Sequence, residues 1–166
     1  MDGNSVELSR HIRAPLERVW QALVDPAQAG TWFAAKANIN PELGGAYELF
    51  WRPDTPESQS TIGCRITAIA PCRYLAFTWR GPDELGALMN EGDPPPPPTH
   101  VTITVSPSAA GADLRVRHVG FGDGEGWSGA VAWHQRAWTA VLDNLEALLS
   151  GRPLPRPWDD GDSQSA

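Results

Sequence analysis

His134 and Trp138 stand four residues apart in AWHQRAWTAVLDNLEALL, residues 132–149. An imidazole can exchange a proton near neutral pH or hydrogen-bond a ligand. An indole offers a broad apolar wall and a single N–H donor. Side chains four apart share one face of a helix. The same stripe collects Val131, Val141, Leu142, Leu145 and Leu149, while Arg136, Asp143 and Ala147 fall opposite. This amphipathic pattern predicts a helix from about Ser128 to Ser150, with His134 and Trp138 turned inward near its start. Trp133 lies off the stripe and is expected either to be exposed or to form a self-association patch, which would imply a homodimer.

Two further polar side chains fall on apolar faces. Tyr47, in GGAYELFW, shares a strand face with Leu49 and Trp51, and His118, in RHVGF, shares one with Leu114 and Val116. A polar atom on such a face must find a partner, so His118 suits a structural hydrogen bond as well as a ligand contact. His11 and His100 fall on the solvent sides of their strands. Glu7, Glu17, Glu48, Asp113 and Asp143 all occupy polar sides, so no carboxylate pair for proton transfer is visible. No serine sits on a GxSxG elbow. The glycines of GDGEGW, residues 122–127, lack the lysine and βαβ setting of a phosphate loop. Cys64, in a strand-like run, and Cys72, at a turn, form no CxxC, and no His/Cys cluster has ligand spacing. Neither a metal nor a cofactor is indicated, and no catalytic residue is assigned.

The aromatic inventory is lopsided, with eight Trp against two Tyr and four Phe. Trp32, Phe33, Trp51, Phe77, Trp79 and Phe121, with Tyr47 and Trp138, are expected to divide about evenly between core and cavity wall. Together with His118 and His134 they make the candidate ligand-binding set, Tyr47 and His134 giving it polarity. On that reading, His134→Ala changes ligand affinity more than stability.

The elements that must position these residues follow from hydrophobic periodicity. Residues 6–12 alternate as a strand. Leu16, Val19, Trp20 and Leu23 form a helical stripe, with Pro15 at the first helical position and Pro26 as terminator. AQAGTWF predicts a short second helix carrying Trp32 and Phe33 inward. GGAYELFW, TIGCRITAIA, RYLAFTW, HVTITV and ADLRVRHVGF read as strands with the one-wet-face alternation of an antiparallel sheet. The long helix, capped by Ser128, stops at Gly151 and Pro153. Such segregated elements predict one α+β domain over residues 1–151. Two stretches are expected outside it: a proline-rich insertion, 81–98, and a disordered acidic tail, 152–166. A single helix laid across a curved sheet covers only part of it, which leaves a hollow under the helix's first half.

IRAPLERVWQALVDPAQAGTWF, PELGGAYEL, IAPCRYLAFTW, HVTITV, RHVGF and AWTAVLDNLEALL occur in an order that resembles one family. It is the homologue-like family named after the activator of the heat-shock-protein ATPase, in the START-like, or SRPBCC, superfamily. The resemblance covers roughly residues 6–150. It implies a helix-grip fold, a curved antiparallel sheet wrapped around a long C-terminal helix, with a hydrophobic cavity between them. It does not imply one activity, because the superfamily includes lipid and hormone carriers and polyketide cyclases. The chain departs from the family in the 81–98 insertion and in Ala137, which stands where the family usually has glycine.

A net charge of -7 argues against a nucleic-acid partner, which needs clustered Lys and Arg. No run approaches the length of a membrane span, the N-terminus lacks a signal-peptide pattern, and two unpaired cysteines suit the cytoplasm. Three functional readings follow. The first is non-catalytic binding of a small hydrophobic, and in one form aromatic, molecule. The second is a polyketide cyclase or dehydratase that uses His134 or Tyr47 as acid or base. The third is a protein-interaction or co-chaperone-like module.

Overall fold

The computed structural model describes residues 4–158. Alternating Val6, Leu8, Arg10 and Ile12 form β1 (Val6–Ile12), followed by α1 (Leu16–Val24) and α2 (Pro26–Trp32). Pro15 precedes the first helical residue, and Pro26 stops α1, as expected, and also begins α2. Asp25 makes the junction, because its carboxylate accepts the Ala27 N–H and caps a new helix at the break. A short strand absent from the sequence reading, β2 (Lys36–Ile39), pairs with β3 (Tyr47–Phe50). Its four residues are too few to display a period.

The remaining strands are β4 (Ile66–Ala70), β5 (Tyr74–Trp79), β6 (Thr99–Ser108) and β7 (Gly111–Val119). With β1 they form an antiparallel five-stranded sheet in the order β1-β7-β6-β5-β4. Cys64 lies outside β4, in the turn before it, where its carbonyl accepts the Tyr47 N–H and joins the two-stranded sheet to the larger one. At the β6–β7 hairpin, a Cβ on Gly111 would come 2.1 Å from the Ile12 carbonyl oxygen, so the close approach of β1 requires glycine.

The chain closes with α4 (Glu125–Leu149), packed across the sheet as the resemblance implies. Gly124, at φ 109, precedes the first turn. Ser128 is therefore already helical, and its hydroxyl donates to the Gly124 carbonyl at 3.3 Å rather than capping the helix. Arg10, in the apolar phase of β1, reaches Asp143 at 2.9 Å and Glu146 at 2.6 Å on α4. The expected polar side of α4 is only partly wet: Asn144 and Ala147 are buried.

Parts of the two segments expected outside the domain belong to it. Within 81–98, a 3-10 turn (Asp83–Leu85) leads into α3 (Gly86–Met89). Met89 is buried, and Asp83 accepts hydrogen bonds from Ser58 at 2.6 Å and the Gln59 backbone at 3.0 Å. Residues 152–158 are seated rather than loose. Asn144 exchanges hydrogen bonds with the Arg156 backbone at 2.8 and 2.9 Å, and the Trp158 indole donates to the Trp32 carbonyl at 3.2 Å. An apolar ring and a buried amide outweigh the polar composition of the segment. The acidic end of the expected tail, 159–166, lies outside the described residues.

Candidate functional site

Ten aromatic and imidazole positions form the candidate set, and the fold divides them into a packed centre and a wall. Tyr47 and Phe77 point from β3 and β5 into the core and stack at 4.2 Å. The Tyr47 hydroxyl donates to the Leu23 carbonyl at 2.7 Å, and burial holds its proton on far above the usual phenol range. Trp32 is fully buried behind Phe33, stacked on it at 4.4 Å, with its N–H on the Ala22 carbonyl at 2.8 Å. Phe121 covers the edges of His118 and His134. These residues stay out of the cavity.

His118 and His134 are buried, with ring centroids 5.0 Å apart. The Trp138 indole donates to His118 Nδ1 at 3.1 Å, which places the imidazole proton on Nε2, facing the Thr99 hydroxyl at 2.8 Å. Trp79 donates to His134 Nε2 at 3.1 Å, so His134 carries its proton on Nδ1 and gives it to the Ala130 carbonyl at 2.8 Å. Each ring is thus a neutral tautomer with both nitrogens engaged. Burial holds the His118 pKa well below the usual histidine value, helped by His134 and His100, and burial lowers that of His134 to about 4. The first half of α4 presents His134 and Trp138, and the two indole–imidazole bonds clamp it to the centre of the sheet.

Beside this clamp the helix and sheet part. A hollow of about 190 Å³ opens there, with Phe33, Trp79 and Trp138 as its floor. Phe33 lies 5.3 Å from Trp138 and 6.2 Å from Trp79 by ring centroids. Trp51 forms a side wall, edge-on to Trp79 at 6.2 Å, with its N–H fixed on the Phe33 carbonyl at 3.1 Å. Trp158, edge-on to Trp51 at 6.5 Å, and Trp133 complete the wall. Ala137 and Ala140 supply the small face of α4. His134 borders the hollow, but its nitrogens are engaged behind the indoles.

Of the ten candidates, Phe33, Trp51, Trp79, His134 and Trp138 therefore meet the cavity, and Trp32, Tyr47, Phe77, His118 and Phe121 do not. The expected polarity from Tyr47 and His134 is absent, because both polar groups close on the protein itself. Polarity comes instead from the rim: Arg52, Arg80, Arg136, Arg156 and Glu84. The sequence reading missed these rim residues and Trp158. A faint signal existed in the repeated Trp-Arg pair, at 51–52 and 79–80, and in a tryptophan set in a polar, proline-rich end. Among the described residues, no group of three or more His, Cys, Asp or Glu is placed to hold a metal, and no helix is long and apolar enough to cross a membrane.

Residues 13–150 match the family model described as Activator of Hsp90 ATPase homolog 1-like protein. No curated protein matches the chain. Protein MLL2253 from Mesorhizobium loti is similar in structure, at 24% identity, TM-score 0.71, with 90% of this chain and 99% of that one covered. CalU16 from Micromonospora echinospora is similar at 21% identity and TM-score 0.65, over 91% of this chain and 77% of that one. The Aha1 dimer from Colwellia psychrerythraea gives 15% identity and TM-score 0.65, over 87% and 95%. At these identities the likenesses show a shared fold.

Proposed function

This chain belongs to the Activator of Hsp90 ATPase homolog 1-like protein family, and from that premise we propose that it binds a small aromatic molecule without transforming it. One observation carries the reading: an indole-walled hollow remains open between α4 and the sheet. Ligand sites are apolar concavities with a few placed polar groups. An apolar cavity of about 150 Å³ accepts benzene, so the volume here of about 190 Å³ suits a body of one or two rings. The commitment of Tyr47 and His134 to internal hydrogen bonds supports binding over the cyclase reading, since neither presents a free acid or base. Cys64 and Cys72 are free thiols, which supports a cytoplasmic setting.

Native mass spectrometry of the purified protein, followed by extraction, tests the proposal against an Ala140→Trp variant whose new ring fills the hollow. The parent should carry, or take up, a small aromatic molecule that the variant excludes. Equal uptake by the two proteins would overturn the assignment of the site.

A further inference from the structure

Resting on that reading, we propose that the molecule held in the hollow is anionic, with its rings against Trp51, Trp79 and Trp138 and a carboxylate or kindred oxyanion at Arg52 and Arg80. The chain has 13 Lys and Arg against 20 Asp and Glu, yet four arginines line this one cavity against a single carboxylate, Glu84. None of the four is ion-paired among the described residues. Arg52 and Arg80 directly follow Trp51 and Trp79, and all four residues line the cavity. Arg80 is braced, one Nη donating to the Ser60 carbonyl at 2.9 Å.

Arg52 supplies an independent sign of a missing partner. Its Nε is buried and has no hydrogen-bond acceptor, the one side-chain polar atom of this kind among the described residues. A buried donor on a cation is costly to leave unmet, so Arg52 gains the more from a charged acceptor at the part of its guanidinium that lines the cavity, where an oxyanion fits best. Asp83 does not satisfy it. Its oxygens accept from Ser58 and Gln59, and its carboxyl, held low chiefly by the Ser58 hydroxyl, feels both Arg80 and Arg52. One anion near the mouth therefore senses both guanidiniums. A cationic rim over low-dielectric walls also concentrates the field at the entrance, which draws anions in against the negative whole.

Matched probes separate charge from shape. Tryptophan fluorescence should report 2-naphthoate binding roughly 10- to 100-fold more tightly than neutral 2-naphthamide, the worth of one or two charged hydrogen bonds. Arg52→Met and Arg80→Met should each reduce that preference and leave naphthamide binding in place, with Arg52→Lys restoring only part of it. In the parent protein, raising salt from about 50 to 500 mM should weaken naphthoate binding and leave naphthamide unmoved, a readout that stands even where a variant fails to fold. Equal binding of the two probes would overturn the anion assignment while keeping the hollow as a site. Binding of neither would overturn the hollow reading itself.

Discussion

Trp138 fills three roles at once: it floors the cavity, packs on Phe33, and donates its N–H to His118. Trp138→Ala should cost about 3–5 kcal/mol for the lost ring, and it also leaves His118 Nδ1 unpartnered. Denaturant melts of the variant and parent measure the sum. His134→Ala is now expected to act chiefly on stability, the reverse of the reading its helical position alone suggests. It strands the Trp79 N–H in the interior, at a cost of about 1–3 kcal/mol. An unchanged midpoint in the melt would refute the internal role. The same chemistry sets an acid limit. An unfolded histidine titrates near 6.5, whereas burial lowers folded His134 to about 4 and His118 well below its usual value. Between those values the unfolded chain binds the extra protons, so stability is full above about pH 6.5 and falls as pH drops toward 4. The loss amounts to about 3 kcal/mol from His134 alone. Melts from pH 7 to 4.5 that do not shift would contradict it.

At the scale of elements, α4 does two jobs with its two halves. Its second half, through Val141, Leu142, Leu145 and Leu149, is buried core. The first half reaches the sheet through the indole–imidazole pairs, and beside them alanines at 137 and 140 face the opening. The segment 152–158 doubles back over α4, Asn144 holding its backbone, and brings Arg156 and Trp158 to the cavity. Trp158→Ala should therefore remove one wall while sparing the central clamp. Stopped-flow release of a bound aromatic probe should be faster in this variant, with the thermal midpoint lowered by only a few degrees. Identical release rates would place the segment outside the binding cycle.

For the molecule as a whole, the open hollow costs stability. Its lining forfeits contacts that a filled interior would make, and filling a cavity commonly stabilises a protein while sacrificing function. Ala140→Trp should thus raise the melting temperature, or leave it unchanged, as it abolishes probe binding. A variant that both melts lower and still binds would show that the ring has turned to solvent, and that the hollow is not confined as described.

The sequence by itself determined the α+β class, the order of the longer elements without β2 and α3, and the inward direction of Trp32, Phe33, Trp79, His118, His134 and Trp138. These are consequences of local period and burial, which a linear pattern carries. Its family resemblance, borne out over residues 13–150, extended that reading to the helix-grip fold. The sequence left open which inward rings are core and which are wall, because an aromatic side chain presents the same hydrophobic signal in both places. Nor did it yield the partners of the two imidazoles. Trp79 and His134 are 55 residues apart in the chain, and strand register and helix rotation together bring one donor to one lone pair. The cationic rim was hardly more legible, since Arg52, Arg80, Arg136 and Arg156 come from four separate stretches of the chain, and the repeated Trp-Arg pair does not say where either arginine points. Only the closing of the sheet, the helix and the returning end around one space makes them neighbours.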